Sequence, residues 1–380
     1  MLGILVMNIQ AFAMPSAAYT NPTAYGDLTG ANLFAWAASH LLVDEKFMTL
    51  FSLLFGAGVC LFAERAEARG GRSAGLHYRR MFWLLVIGLA HGYLLWSGDF
   101  LVTYAVCGCL VFLLRNRPPA ALLVTGLLVM SVASFLSLGV GLIAPALPEA
   151  ETADIAAAWA PAAAETEASL RAYRGDWLTQ QGQRVPDTLM MQTTVLPFLT
   201  LWKAAGVMLL GMALYRWRVL DATRSDTFQR RLALLGFGAG IPVVAFGIWW
   251  NFAGGWSWER SFFLGFQFNY WGSLAMALGY VGLVMLAIRR RWLPALQARL
   301  AAAGRMAFTN YLAQTVVCTT IFYGHGFGLF GSVARWQMLL VVFGVWVLQL
   351  WWSPLVLRRY RYGPLEWGWR TLTYARIPGR

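Results

Sequence analysis

The chain is a succession of apolar segments, each about as long as a bilayer is thick, separated by short stretches that carry most of its arginines. A helix needs about 20 apolar residues to cross the roughly 30 Å hydrocarbon core of a membrane. Hydrophobic residues make up 59% of the chain and charged residues 12%, and the mean hydropathy is +0.56. The core of a soluble domain does not take up so many apolar residues in segments of this length. The sequence therefore predicts an all-α, polytopic integral membrane protein with one transmembrane helical domain over residues 1–380.

Hydropathy predicts about ten spans along this chain. They cover residues 2–14, 40–62, 81–97, 99–114, 120–145, 194–215, 232–252, 263–288, 306–323 and 336–357. The first of them offers about 13 apolar residues, where a span requires about 17. We therefore expect a first helix that is partial or that begins upstream of this sequence.

The arginines indicate how these spans are oriented. Of the 30 basic residues, 23 fall in alternate loops and only five in the loops between them; the basic loops are 65–80, 115–117, 216–231, 289–305 and the tail 358–380. Because loops rich in Lys and Arg stay in the cytoplasm, both termini are predicted to be cytoplasmic. The protein is then expected to be a multi-pass membrane protein. Its net charge of +13 follows from this distribution, so we expect membrane lipids as partners and no nucleic acid.

The longest stretch without a span is the connector of residues 146–193, between spans five and six. The alternation of basic loops places it outside the cytoplasm. It begins with acidic and alanine-rich sequence, which is compatible with a short helix lying over the outer mouth of the bundle. The sequence leaves two roles possible for this segment: a lid over a site, or a solvated connector.

Residues 81–114 form a predicted membrane hairpin with two ionisable groups near its crest, His91 and Asp99. Its 34 residues supply about 51 Å of helix, whereas two full spans need about 60 Å. The crest is therefore expected below the outer surface, in a recess shielded from bulk water. Ionisable groups inside a bilayer are costly and are functional candidates for that reason. A histidine beside a carboxylate suits a general base, and we predict His91 and Asp99 as catalytic residues.

Simpler roles for both residues also remain open. His91 lies within Gly88-x-x-x-Gly92, a spacing that brings helices close, and it could serve only as an interhelical hydrogen-bond partner. Asp99 follows a glycine and could serve only as a helix cap. On the helix that follows, Asp99, Thr103 and Cys107 are spaced to share one face.

More ionisable groups gather in the predicted outer half of the membrane. Glu45 and Lys46 lie at the entrance of the second span, and Lys203 lies about two turns into the sixth. These two lysines are the only ones in the chain. They could be remnants of a genomic preference for arginine, or they could be retained because lysine, unlike arginine, can lose its proton when buried. We place Glu45, Lys46, Thr103 and Lys203 in a predicted polar pocket.

Several phrases of the sequence together resemble one family. They are Gly3-Ile-Leu-Val-Met-Asn8, the stretch from Glu45 to Gly58, the stretch from His91 to Ala105, Gly304-Arg-Met-Ala-Phe-Thr-Asn-Tyr-Leu-Ala-Gln314, and Gly363-Pro-Leu-Glu-Trp-Gly-Trp-Arg-Thr-Leu-Thr-Tyr374. The chain resembles, nearly end to end, the YeiB-like bacterial inner-membrane proteins, family 418 of the domains of unknown function. Family members usually carry an Arg, an Asp and an Arg-Gly pair before the first phrase, and this sequence starts at Met1 without them. We add Tyr104, Asn310 and Gln314, polar residues of these phrases, to the predicted pocket.

The family is distantly similar to the transmembrane acyltransferases. That resemblance implies acyl-CoA as a cytoplasmic co-substrate and a small-molecule or glycan acceptor. It also implies that Arg79, Arg80 and Arg305 bind the CoA phosphates, for which Arg clusters are suited. Plain anchoring of the chain by positive charge is the alternative for each of them.

Three functions follow as hypotheses. The first is a membrane-embedded acyltransferase that moves an acyl group from cytoplasmic acyl-CoA to a cell-envelope or small-molecule acceptor. The second is a proton-coupled secondary transporter or exporter built on the same polar groups, although the span pattern shows no internal repeat of the kind that transporters carry. The third is a structural membrane component without turnover. The sequence has no metal-ligand spacing, so no metal is expected.

Overall fold

The computed structural model describes residues 1–71 and 73–375, and over these residues the chain is helical without strands. Arg72, Arg376 and Arg380, three of the arginines in the predicted cytoplasmic segments, lie outside the described residues. The helices are α1 (Leu2–Ala13), α2 (Ala17–Thr20), α3 (Gly30–Leu42), α4 (Lys46–Glu67), α5 (Ser73–Leu94), α6 (Leu101–Phe112), α7 (Pro119–Ile143), α8 (Glu149–Trp159), α9 (Ala163–Arg174), α10 (Trp177–Met190), α11 (Leu201–Arg216), α12 (Asp226–Ala253), α13 (Trp258–Arg260), α14 (Phe266–Arg289), α15 (Pro294–Arg305), α16 (Ala307–Phe322), α17 (Arg335–Arg359) and α18 (Pro364–Tyr374). A 3₁₀ turn (Ala144–Ala146) and two π-helical stretches (Met191–Thr200 and Ser261–Gly265) join neighbouring helices.

The prediction of an all-α, membrane-type protein is confirmed. Within the described ranges, six helical stretches are long and apolar enough to cross a membrane: Gly30–Glu67, Pro119–Ala146, Trp177–Arg216, Asp226–Ala253, Trp258–Arg289 and Arg335–Arg359. Each of the ten predicted spans coincides with a helix, but several of these helices are short. At about 1.5 Å per residue, the 12 residues of α1 and of α6 extend only about 18 Å.

The centre of the bundle is helix α11, which packs against α4 on one side and α7 on the other. Gly56 of α4 lies against the backbone of Met208, and Gly211 of α11 lies against the backbone of Leu53. Small residues let two helix backbones approach closely, which is how helices associate in an apolar solvent. The helices around this centre expose large apolar side chains: Leu235 on α12 is 73% exposed, Phe343 on α17 is 64% exposed and Phe135 on α7 is 72% exposed. Such surfaces suit contact with lipid.

The connector of residues 146–193 folds into three helices, α8, α9 and α10, and α10 covers the crest of the α5–α6 hairpin. Trp177 and Arg184 each donate a side-chain hydrogen bond to the Leu94 carbonyl, at 3.0 and 3.1 Å. Thr188 donates one to the Gly92 carbonyl at 3.1 Å. The last carbonyls of a helix have no hydrogen-bond partner within the helix. For α5, side chains of α10 supply the missing donors. The connector thereby encloses the end of the hairpin that carries His91.

The arginine-rich loops contact one another at one end of the bundle. Arg216 donates to the carbonyls of Arg115 and Arg117, Arg305 donates to the carbonyl of Arg361, and Trp369 donates to the carbonyl of Arg80. Segments that the alternation of charge assigned to one side of the membrane are therefore neighbours in the fold.

Candidate functional site

His91 lies between a carboxylate and a hydroxyl. Its Nδ1 is 2.7 Å from Asp99 Oδ1, and its Nε2 is 3.0 Å from Thr315 Oγ1 on α16. The three residues are buried, with exposures of 2%, 8% and 1%. A carboxylate that accepts the Nδ1 proton leaves Nε2 as the basic nitrogen, and this nitrogen faces a hydroxyl. The arrangement has the connectivity of a carboxylate–imidazole–hydroxyl relay, in which the imidazole can withdraw the proton of the hydroxyl.

The backbone geometry that brings His91 to Asp99 depends on two glycines of α5. A Cβ at Gly88 would lie 2.7 Å from the Val102 nitrogen and 3.1 Å from Asp99 Oδ2, and a Cβ at Gly92 would lie 3.2 Å from the Thr188 methyl group. Helix α6 therefore packs against α5 at the first glycine, and α10 packs against it at the second. The predicted close approach at this spacing is observed.

Asp99 also stabilises the start of α6, because its Oδ2 accepts the Val102 N–H at 3.0 Å. The cap that we considered as an alternative is thus present together with the contact to His91. The predicted shared face of Asp99, Thr103 and Cys107 is wrong, because α6 begins only at Leu101 and Asp99 lies in the turn before it. Asp99 contacts His91, whereas Thr103 lines the cavity beside Glu45 and Lys203 that is described below.

Two residues beside His91 were not identified from the sequence. Thr315 follows directly after the family-like phrase that ends at Gln314, and one turn earlier lies Tyr311, whose ring centroid is 5.3 Å from that of His91. The Tyr311 hydroxyl is buried and has no hydrogen-bond partner among the described residues. Tyr311 and Thr315 lie one helical turn apart and therefore share a face of α16. This polar face is the sequence pattern from which both residues could have been predicted.

Glu45 and Lys203 form an ion pair at the wall of a cavity of about 70 Å³. Thr103 and Tyr104 line the same cavity, so the structure brings together four of the predicted pocket residues. Lys203 Nζ also donates to Ser273 Oγ at 3.2 Å. The side chains of the pair are 12% (Lys203) and 29% (Glu45) exposed.

Lys46 faces away from this cavity and is completely buried. Its ammonium group donates to the His40 carbonyl at 2.7 Å and to Asn269 Oδ1 at 2.5 Å. The Asn269 amide donates to Asp44 at 3.1 Å, and Asp44 is 3.0 Å from His40 Nδ1. The two lysines thus lie in adjoining polar clusters. Lys203 and Glu45 line the cavity, whereas the cluster of Lys46 is buried and does not line it.

Asn310 and Gln314 are held in a polar network between α16 and α17. The Asn310 amide donates to Ser353 Oγ at 3.1 Å and accepts from the Trp352 indole at 2.8 Å. Gln314 donates to Gln349 at 2.9 Å, and Gln349 donates to the Asn310 carbonyl at 2.9 Å. The structure does not bring these two residues to the cavity of Glu45 and Lys203, because their side chains join two helices.

A second cavity, of about 510 Å³, lies among the arginine-rich loops. Arg80 and Arg305, two of the three predicted phosphate-binding residues, line it together with Arg65, Arg69, Arg361 and Arg370. Arg79 is exposed and does not line it, because consecutive residues of α5 point in different directions. The Arg80 guanidinium lies 4.4 Å from the ring centroid of Trp369, and that of Arg370 lies 4.3 Å from that of Tyr362.

The comparisons with known proteins place this chain in a family. Residues 214–376 match the family described as "Protein of unknown function (DUF418)". The chain is 34% identical to the "Uncharacterized protein YeiB" of Escherichia coli (strain K12), over 98% of this chain and 93% of that protein. It is 29% identical to the "Uncharacterized protein YxaH" of Bacillus subtilis (strain 168), over 98% of this chain and 91% of that protein. No solved structure matches the chain significantly. The extent and identity of these matches show that the chain belongs to the YeiB-like DUF418 family.

Proposed function

We propose that this protein is a membrane-embedded acyltransferase that moves an acyl group from cytoplasmic acyl-CoA to a cell-envelope or small-molecule acceptor. The observation that carries the proposal is the Asp99–His91–Thr315 arrangement, with a basic imidazole nitrogen 3.0 Å from a hydroxyl. In this proposal, the bundle crosses the bacterial inner membrane about ten times. Both termini and the arginine-lined cavity are cytoplasmic, and the connector of residues 146–193 lies outside.

His91 acts as the general base in the proposed reaction. With the acceptor hydroxyl or amine in the place that the Thr315 hydroxyl takes beside Nε2, this nitrogen takes the acceptor's proton while the acceptor oxygen or nitrogen bonds to the thioester carbonyl carbon. The carbon–sulfur bond then breaks, and the CoA thiolate leaves and takes that proton from the His91 imidazolium. Asp99 holds the imidazole in the required tautomer and stabilises its charged form. Tyr311 lies beside the imidazole, and in this proposal its buried hydroxyl, which has no partner among the described residues, donates to the oxygen that becomes negative.

The arginine-lined cavity supports a nucleotide thioester as the donor. Its six arginines face the cavity together with one carboxylate, Glu366. The Glu366 carboxylate is already used, because it accepts the backbone N–H groups of Phe308 and Thr309 at 2.7 and 3.0 Å. Guanidinium groups suit phosphates, and the rings of Trp369 and Tyr362, each with an arginine over one face, add aromatic surface to the same cavity. Arg80 and His91 lie on the same helix about 16 Å apart, a distance that the flexible pantetheine arm can cover.

Transfer of a radiolabelled acyl group by the protein in proteoliposomes tests this function. We expect activity in the wild type and a loss of about 100-fold or more in His91→Ala and Asp99→Asn. The matched control is His325→Ala, which changes a histidine in an exposed loop and should leave activity unchanged. Full activity in His91→Ala would remove His91 as the base.

Binding of CoA tests the donor site separately. Arg80→Ala should weaken CoA binding about tenfold or more, because one charge-assisted contact to phosphate is lost. Arg79→Ala removes the same side chain from the adjacent, exposed position and should have little effect. Equal effects of the two variants would contradict the assignment of this cavity.

A proton-coupled transporter is the second candidate, and the Glu45–Lys203 pair beside a cavity favours it. Paired ionisable groups within a membrane are suited to carrying a charged substrate or a proton. Substrate uptake that depends on a pH gradient, together with no binding of CoA, would support this function against the first.

A further inference from the structure

The cavity beside Glu45 and Lys203 combines two opposite charges with apolar walls. We infer that it binds a zwitterion carrying a primary ammonium group and an anionic group a few bonds apart. The source is a free small molecule or the headgroup of a zwitterionic lipid. This inference goes beyond the proposed function, because it concerns binding alone and holds whether the protein transfers or transports.

The ion pair is held by elements that are distant in the sequence. Glu45 lies just before α4 and Lys203 lies in the first turn of α11, 158 residues apart. Glu45 has a φ angle of +64°, a left-handed backbone conformation that is unfavourable for residues other than glycine. Such strain persists only where the surrounding structure imposes it, and it is common at ligand sites. Here it places the carboxylate at the wall of the cavity.

The neighbouring charges do not need a ligand. Lys46 and Asp44 are satisfied by His40 and Asn269, as described above, and they do not line the cavity. Glu45 and Lys203 do line it, and their side chains are partly exposed. They are therefore the two charges in this region that a ligand can reach.

The pairing of charges determines the class of ligand. A simple cation that bound Glu45 would leave the Lys203 ammonium without its partner in a poorly solvated site, and a simple anion would do the same to Glu45. An unpaired buried charge is strongly unfavourable. A zwitterion exchanges one internal ion pair for two intermolecular ones and leaves neither charge alone. It satisfies both groups at once.

Size and polarity restrict the ligand further. A volume of about 70 Å³, against roughly 30 Å³ for one water in the liquid, excludes a whole sugar and limits the ligand to a short zwitterionic head. Thr49, Ser52 and Thr103 are polar residues of the cavity lining, and Ile4, Phe47 and Phe266 form apolar parts of its wall. A small charged head with an apolar continuation fits these walls.

Calorimetry on the full-length protein in maltoside micelles tests the inference, with phosphoethanolamine as the zwitterionic probe. Ethanolamine and inorganic phosphate are the single-charge controls, and each should bind about tenfold or more weakly than phosphoethanolamine, because each leaves one protein charge unpaired. Equal binding of either control, or no binding of phosphoethanolamine, would overturn the inference.

Variants locate the site. Glu45→Gln and Lys203→Met should each weaken phosphoethanolamine binding about 10- to 100-fold, the effect of losing a hydrogen bond to a charged group. The double variant removes both charges, leaves none unpaired and keeps the fold testable if a single variant unfolds; it should also lose binding. Glu64→Gln, the same substitution on α4 away from the cavity, is the control. Unchanged affinity in the double variant would refute the site.

Nanodiscs distinguish the two sources. If the natural ligand is a lipid headgroup, discs of phosphatidylethanolamine should block the soluble probe, whereas discs of phosphatidylglycerol should not. If it is a free molecule, the probe should bind equally in both discs. Blocking by phosphatidylglycerol alone would contradict a zwitterion site.

Discussion

The contact between His91 and Asp99 should make a measurable contribution to stability as well as to activity. The Asp99 carboxylate accepts from His91 Nδ1 at 2.7 Å and from the Val102 N–H at 3.0 Å. Asp99→Asn retains an oxygen for the second contact, and Asn and Asp are equally good at capping. The first contact changes from a charge-assisted to a neutral hydrogen bond, which costs about 1–2 kcal/mol. Asp99→Ala loses both contacts and leaves His91 Nδ1 unsatisfied, so its cost should be about 2–4 kcal/mol.

A double-mutant cycle isolates the pair. In a His91→Ala background the Asp99 carboxylate is buried without its imidazole, so Asp99→Asn there should be neutral or stabilising. The resulting coupling free energy is at least about 1–2 kcal/mol. Unfolding by titration with sodium dodecyl sulfate in mixed micelles, followed by far-UV circular dichroism, gives the four free energies.

The same four proteins separate a structural role from a catalytic one. If the contact only joins two helices, the variants lose stability and retain the activity of the folded fraction. If it also orients the base, Asp99→Asn loses acyl transfer about 100-fold or more while it remains folded. Costs that add without coupling, within about 0.5 kcal/mol, would refute the strength assigned to this contact.

Three further predictions concern stability. Gly88→Ala should destabilise the protein by about 1–3 kcal/mol, because its Cβ would lie 2.7 Å from the Val102 nitrogen; Gly58→Ala, where nothing lies within 4 Å, should be neutral or stabilising, as unfolding of both variants would show. Arg335→Met should cost at least about 2 kcal/mol and expose residues 22–27 to proteases, since its guanidinium donates to three carbonyls of that loop at 2.7–2.9 Å; unchanged proteolysis would contradict this. Partial burial in its loop lowers the pKa of His325 below the usual 6.5, and the Arg184 charge lowers it further. Its contribution to stability is therefore present above pH 6.5 and is lost as the pH falls through the lowered value. His325→Gln should reduce this acid sensitivity of unfolding, and an identical pH profile would count against it.

The sequence by itself determined that the protein is helical and of the membrane type, and where its helices lie along the chain. In lipid, every backbone N–H and C=O group needs a partner within the protein, and a helix provides these partners within a single segment of about 20 apolar residues. All ten predicted spans coincide with helices. The local geometry of the hairpin was also predictable, because His91 and Asp99 are only eight residues apart and Gly88 and Gly92 impose a close approach.

Only the tertiary structure decided which distant side chains meet. Thr315 reaches His91 across 224 residues of sequence, and Lys203 reaches Glu45 across 158. Hydropathy predicts that a segment forms an apolar helix, but it does not predict how that helix is rotated about its axis relative to its neighbours. That rotation turns Arg80 into a cavity and Arg79 out of it, and it directs Asn310 towards α17. It is set by the packing of the whole bundle, which no local pattern contains.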